Sequence, residues 1–147
     1  MNKDLPRHTM SGACHCGAIA VKYRTRFAVN VLRVGRCGCS FCRIHGARTS
    51  SDAQGHLAIT ERAPGAARYR FGLKTADFLV CRGCGAYVAA IIAVDGRDYA
   101  TLNVNLLTDR DAFDPAPPVF HYYDETEAER MARRRRQWTP TELSRAE

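Results

Sequence analysis

Apolar and polar residues alternate over much of the chain, which predicts short β-strands. Ile19, Val21 and Tyr23 occupy every second position, the period of a strand with one buried face. Turn residues such as Asp95-Gly96 separate further strand candidates. These candidates span residues 29–36, 56–60, 67–71, 77–81, 86–94 and 99–105. Many short strands at regular spacing favour a mostly β fold of antiparallel strands.

The pattern changes after Thr108. Residues 109–118 form a connector rich in Asp and Pro, residues 119–123 have the composition of a strand, and residues 124–137 are predicted as a helix. That helix has its acidic residues first and its arginines last, which suits the helix dipole. We therefore expect an N-terminal tail at residues 1–10, a main domain at 11–108, and a C-terminal strand and helix at 109–147 packed on the same domain.

Length and composition indicate a globular protein. A chain of 147 residues fits one domain, and 46% apolar with 25% charged residues excludes a disordered chain. The longest uncharged apolar run, residues 86–94, is too short for a bilayer span of about 20 residues. The first ten residues lack the apolar stretch of a secretory signal, so we expect a cytoplasmic protein without membrane contact.

The positive charge is unevenly distributed along the chain. The net charge is +7, because 22 Lys and Arg outnumber 15 Asp and Glu. The most basic run, the four arginines from Arg133 to Arg136, lies in a segment that is acidic overall. Because a DNA-binding protein usually carries a basic stripe, nucleic acid binding is not favoured. We interpret the run as a solvated helix end, with contact to an acidic partner as the alternative.

Seven cysteines carry the strongest chemical signal, and all of them lie in clusters. An odd number in a reducing compartment argues against a disulfide framework and for metal ligands or a reactive thiol. Residues 40–46, beside the central cluster, are predicted to form a short helical turn. The clusters are Cys14 with Cys16, Cys37 with Cys39 and Cys42, and Cys81 with Cys84.

The outer two clusters are complementary. Cys81-Arg-Gly-Cys84 has the C-x-x-C spacing that directs two sulfurs to one metal ion. Two sulfurs do not complete a tetrahedral zinc site, so two more ligands must come from elsewhere. Cys14 and Cys16 are the natural donors, because side chains two apart on an extended segment point the same way. Together the four would form a closed, structural zinc site.

The central cluster offers three ligands from one loop. Cys37, Cys39 and Cys42 would leave the fourth position of a second zinc ion exchangeable, as in catalytic sites. In the alternative, His45 closes this site as a structural one. The spacing also leaves open a mixed assignment of the clusters, or a single zinc ion with three cysteines spare.

The combined motifs resemble the glutathione-dependent formaldehyde-activating enzyme family, which includes centromere protein V. The resemblance runs from Ser11 to Leu107, with a looser match at Trp138, and the arginine-rich C-terminal helix is not a family hallmark. The matching segments are SGACHCGAIAV at residues 11–21, CGCSFCR at 37–43 with the following Gly46, CRGCG at 81–85, and NVNLL at 103–107.

This resemblance implies a zinc-binding β-tent fold with two zinc ions per chain. It implies a carbon–sulfur lyase acting in reverse, which adds glutathione or a similar thiol to formaldehyde or another small aldehyde. It also implies the ligand sets: Cys14, Cys16, Cys81 and Cys84 for the structural zinc, and Cys37, Cys39 and Cys42 for the zinc of the active site.

Polar residues beside the three-cysteine loop are candidate substrate contacts. Zinc with three thiolates has a net negative charge, so nearby cations would offset the charge of an anionic thiol. Arg43 is the first candidate to bind a substrate carboxylate. Arg36 is the second, and Arg33 lies further from the loop, before Arg36 in the chain. Ser40 can donate a hydrogen bond to a zinc-bound sulfur.

The sequence leaves a second function class open. In this alternative the protein is a non-enzymatic zinc module that binds another protein or carries a thiol. Both alternatives predict the same two zinc sites, and they differ in whether the second site turns over substrate. The sequence does not fix the oligomeric state.

Overall fold

The computed structural model describes residues 8–147, which form eleven β-strands and two α-helices. The protein is mostly β, as the alternation of apolar residues predicts. The helices are α1 (Ser40–His45) and α2 (Glu127–Gln137). The strands are β1 (His8–Ala13), β2 (Ile19–Thr25), β3 (Arg36–Cys37), β4 (Thr49–Ser50), β5 (His56–Glu61), β6 (Ala66–Tyr69), β7 (Asp77–Cys81), β8 (Tyr87–Val94), β9 (Arg97–Asn103), β10 (Val119–Phe120) and β11 (Thr139–Arg145).

Nine of these strands form one sheet. Its order is β1-β2-β5-β11-β9-β8-β7-β6, and β4 pairs with β9. Neighbouring strands are antiparallel except at β11, which runs parallel to β5 and antiparallel to β9. The last strand of the chain therefore joins the two halves of the sheet. The other two strands, β3 and β10, pair in parallel and bring Phe120 beside Cys37.

The core is built from the apolar face of the sheet. In β2 the alternating residues Ile19, Val21 and Tyr23 are buried, as their spacing predicts. Gly12 in β1 lies so close to the chain at Leu106 that a Cβ atom would be 2.0 Å from the Leu106 carbonyl oxygen. Only glycine fits there, and this contact positions the chain that leads into the first cysteine pair.

The structure corrects two expectations from the sequence and adds a strand that the sequence did not predict. Residues 29–36 do not form a continuous strand, because Val29–Val31 form a 3-10 turn and pairing is confined to β3 and to a bridge between Gly35 and Thr49. Of residues 119–123, only Val119–Phe120 is extended and paired. Strand β11 has no apolar alternation in its sequence TPTELSR, so its place in the sheet is visible only in the tertiary structure.

The two helices are confirmed near their predicted places. Helix α2 begins with a capping box, in which the Glu129 N–H donates to Thr126 Oγ1 at 3.1 Å and the Thr126 N–H donates to Glu129 Oε1 at 3.0 Å. Such a cap satisfies two backbone donors that a helix start otherwise leaves unpaired. No helix within residues 8–147 has the length and apolar character needed to cross a membrane.

Candidate metal centres and the adjoining cavity

The structure brings the outer two cysteine pairs into one cluster. The sulfur atoms of Cys14, Cys16, Cys81 and Cys84 all lie within 4.8 Å of one another. The sulfur of Cys16 is 3.7 Å from that of Cys14 and 3.6 Å from that of Cys81. Four sulfurs around a zinc ion at about 2.3 Å would be separated by about 3.8 Å. The spacing therefore fits a tetrahedral zinc site.

Tight turns aim these sulfurs inward and supply hydrogen bonds to them. The Ile19 N–H donates to Cys14 Sγ at 3.2 Å, and the Gly83 N–H donates to Cys81 Sγ at 3.3 Å. Backbone N–H groups also lower the pKa of the half-buried Cys84 thiol to about 6, whereas burial raises the pKa of Cys14 to about 11. The cluster is thus prepared to hold thiolates once a cation is present to compensate the buried charge.

The second cluster forms where β3 meets α1. Cys37 ends β3, Cys39 is the N-cap of α1, and Cys42 lies in its first turn. Their three sulfurs lie within 4.8 Å of one another. One helical turn places Cys39 and Cys42 on the same side, and the Cys42 N–H donates to Cys39 Sγ at 3.4 Å.

Contact among these three sulfurs drives their pKa values apart. Hydrogen bonds from Cys37 and Cys42 lower the pKa of Cys39 far below its usual range, while contacts with Cys37 and Cys39 raise the pKa of Cys42. Three thiolates this close coexist only with a cation between them. Zinc fits this donor set, because thiolates are among its preferred ligands. None of the seven cysteines forms a disulfide.

His45 does not complete the three-cysteine cluster. Within residues 8–147, no His, Asp or Glu donor atom joins the three sulfurs. The His45 ring instead stacks on Phe41, with 4.5 Å between ring centroids, and lines a separate cavity beside Cys14. The alternative in which His45 closes the site is therefore not what the structure contains.

A cavity of about 790 Å³ opens onto the three-cysteine cluster. Cys37, Cys39 and Cys42 form part of its wall, whereas none of the four cysteines of the other cluster borders it. Its volume is in the range of small-molecule binding sites. The two clusters therefore differ in access, and a small molecule reaches only the three-cysteine cluster from this cavity. The aromatic part of the wall comprises Phe27, Phe71, Phe78, Tyr87, Phe120, Tyr122, Tyr123 and Trp138.

Three of the residues that the sequence predicts as substrate contacts do not border this cavity. Arg43 and Ser40 are exposed on α1 and do not border the cavity. Arg36 is also outside the lining, and its Nε donates to the Pro117 carbonyl oxygen at 2.8 Å. Of the cations named near the loop, Arg33 alone borders the cavity.

Helix α2 supplies cavity residues that the sequence analysis missed. Arg130, Arg133, Arg134 and Arg136 all line the cavity. The Arg133 side chain is only 12% exposed, so the interpretation of this run as a solvated helix end is wrong for that residue. Arg135, 59% exposed, points away from the cavity. The spacing of the first three predicts a shared helix face, but only the fold reveals what that face contacts.

Comparison with known proteins assigns the chain to a family. The family model described as glutathione-dependent formaldehyde-activating enzyme matches residues 9–124. The chain belongs to this family. It is also similar to a Rhodobacter sphaeroides protein of known crystal structure, with 31% identity and a TM-score of 0.55 over 76% of this chain and 100% of that one. None of the curated proteins matches the chain. Helix α2 lies beyond the residues that the family model matches.

Proposed function

We propose that this member of the family adds a thiol, glutathione or a similar compound, to formaldehyde or another small aldehyde. The observation that carries the proposal is the cavity that opens onto three clustered cysteines without a fourth protein donor among residues 8–147. A closed structural site has no such opening. Family membership supports the same reaction type, a carbon–sulfur lyase acting in reverse.

Cys37, Cys39 and Cys42 are the residues that would hold a zinc ion for this reaction. When bound, zinc with three thiolate ligands supplies a cation that lowers the pKa of an incoming thiol. In the overall reaction the substrate sulfur forms a bond to the aldehyde carbon, the carbon–oxygen π bond breaks, and the aldehyde oxygen takes up the proton that the thiol loses. The product is a hemithioacetal, and no oxidant or reductant is required.

Tyr87 is the side chain best placed to supply a proton donor. It borders the cavity and packs in the same cluster as the three cysteines. Burial and the charge of those sulfurs raise the pKa of Tyr87, so its hydroxyl remains protonated at neutral pH. We propose that this O–H donates a hydrogen bond to the aldehyde oxygen as negative charge develops there.

The four-cysteine cluster has a different proposed role. Cys14, Cys16, Cys81 and Cys84 would hold a structural zinc ion, because they lie outside the cavity and their sulfurs complete a tetrahedron by themselves. This site ties the turn after β1 to the turn after β7. It contributes to folding and takes no part in the reaction.

The test is exchange spectroscopy with the zinc-loaded protein. NMR of formaldehyde with glutathione, coenzyme A or mercaptosuccinate measures, for each thiol, the rate of hemithioacetal formation above the buffer rate. We expect acceleration by the native protein, loss of it in Cys39→Ser, and a weaker effect in Tyr87→Phe. The matched control is Ile44→Ala, because Ile44 is exposed on the same helix α1 and does not border the cavity. A native rate equal to the buffer rate with all three thiols would favour the non-enzymatic zinc module instead.

A further inference from the structure

The cavity beside the three cysteines has an excess of positive charge. Six arginines line it, whereas the carboxylates that pair with them are those of Asp52 and Glu125. Six guanidinium groups against two carboxylates and a three-thiolate zinc site of net charge −1 leave about three positive charges uncompensated. The six are Arg26, Arg33, Arg130, Arg133, Arg134 and Arg136.

Arg134 gives the strongest indication that a ligand binds in this cavity. Its Nη1 donates to Thr75 Oγ1 at 2.9 Å, and its guanidinium lies 4.9 Å from the centroid of the Trp138 ring. Its Nε is buried without a hydrogen-bond partner, the one such side-chain atom among residues 8–147. A buried donor left unpaired is costly, so native proteins satisfy such groups with a protein atom, water or a ligand.

The electrostatic surroundings of Arg134 also favour a bound anion. Burial and the neighbouring cations Arg130 and Arg133 lower its pKa to about 10. The lowered pKa means that the local field disfavours positive charge, although the guanidinium remains charged at neutral pH. An anion placed beside Arg134 would remove this repulsion. No carboxylate of residues 8–147 pairs with Arg134, Arg33 or Arg136.

The surrounding arginines are held in place rather than free in solvent. Glu125 accepts two hydrogen bonds from Arg133, at 2.7 and 3.0 Å, and Arg130 lies 3.7 Å from the same carboxylate. The Arg133 guanidinium also stacks on Tyr122, 3.5 Å from the ring centroid. Arginines fixed in this way lose little further conformational freedom when a ligand binds.

We propose that helix α2 recognises a polyanionic substrate, a thiol that carries two or more phosphate or carboxylate groups away from its sulfur and no compensating ammonium group. Guanidinium groups bind both kinds of acid in bidentate geometry. Glutathione, whose ammonium cancels one of its two carboxylates, leaves more of the cavity charge uncompensated. Four of the six arginines stand on α2, which lies beyond the residues that the family model matches. That the ligand is a thiol rests on the proposed function.

Thioether probes test anion recognition separately from thiol chemistry. S-methyl coenzyme A carries phosphates, methylthiosuccinate carries two carboxylates, and methylthioethanol is neutral; none has a free thiol. Isothermal titration calorimetry measures the affinity of the zinc-loaded protein for each probe. Trp138, the only tryptophan of the chain, borders the cavity and reports by fluorescence whether the probe binds there. We expect binding of at least one anionic probe with a change in Trp138 emission, and no binding of the neutral one.

Variants on opposite faces of α2 decide whether the arginines are responsible. Arg134→Gln should weaken the binding of the anionic probe about tenfold or more, which is the loss of affinity expected when a charge-assisted hydrogen bond is removed. Arg134→Lys, which keeps the charge, should recover part of the affinity and separates charge from folding. The matched control is Arg135→Gln, because Arg135 lies on the same helix, pairs with Asp95 at 3.6 Å and faces away from the cavity.

The outcomes separate the two proposals. The relative affinities of the phosphate and carboxylate probes identify which acid the site takes. Failure of both anionic probes, or equal losses in Arg134→Gln and Arg135→Gln, would overturn the anion site. Binding of an anionic probe by a protein that does not accelerate hemithioacetal formation would retain the anion site and remove the proposed reaction.

Discussion

Cys81→Ser should remove the connection between the two ends of the main sheet. Cys81 ends β7 and its sulfur lies 3.6 Å from that of Cys16, which is 65 residues earlier in the chain. Serine keeps the size of the side chain but is a poor zinc ligand. We therefore expect the variant to lose the zinc of the four-cysteine cluster, and with it the free energy that zinc binding contributes to folding.

The size of this loss follows from the length of the loop. To bind one zinc ion through all four cysteines, the unfolded chain would have to close a loop of 65 residues, at an entropy cost of about 4 kcal/mol by the relation used for cross-links, whereas the folded chain has already brought the cysteines together. The net stability of a domain is about 5–15 kcal/mol, so the loss is a large share of it. Cys39→Ser breaks a cluster confined to one short loop, where the same entropy contribution is far smaller.

Zinc content and denaturant unfolding together measure the effect. The native protein should bind about two zinc ions, and each variant about one. Cys81→Ser should lower the free energy of unfolding by about 4 kcal/mol or leave the chain unfolded, while Cys39→Ser should remain folded with a much smaller loss. Equal destabilisation by the two substitutions would refute the division into a structural and an accessible site, as would full zinc content in Cys81→Ser.

Three further substitutions test other contacts. In Gly12→Ala the new Cβ would lie 2.0 Å from the backbone carbonyl oxygen of Leu106, so β1 or the chain at Leu106 must shift; we expect denaturant unfolding to show a clear loss of stability, and an unfolding midpoint equal to that of the native protein would contradict this. Asp52→Asn should cost about 1–3 kcal/mol in urea unfolding, because it leaves Arg26 without its carboxylate at 2.9 Å. Burial raises the pKa of Asp52, but hydrogen bonds from Arg26 and its neighbours outweigh this effect and lower the pKa below 3.8. The contribution of Asp52 to the free energy of unfolding is therefore present above pH 3.8 and is lost as the pH falls through the lower pKa of the folded state. The native protein should show this acid-dependent loss of stability, and the Asp52→Asn variant should not. Thr126→Ala should lower the thermal stability by about 1 kcal/mol through loss of the α2 cap, and a melting temperature equal to that of the native protein would argue against that cap.

The sequence predicts which cysteines come together, but it does not predict which residues line the cavity. Spacing predicts that Cys81 and Cys84 share a metal with Cys14 and Cys16, and the structure brings their sulfurs together. Arg43 was the natural candidate for substrate contact because it is next to Cys42 in sequence. It is exposed, since the helix that carries both residues turns its side chain away from the cavity.

The sequence by itself determined the local features of this protein: the alternation that makes strands such as β2, the turns that direct cysteine sulfurs to one point, and the charge order that favours helix α2. Each depends on residues within a few positions of one another, so a local pattern reveals it. The tertiary structure alone decided that β11 enters the sheet between β5 and β9, and that α2 places Arg134 against the cavity of the three cysteines. Those contacts join segments roughly 40 to 95 residues apart, and their stability comes from burial and charge between surfaces that no local pattern encodes.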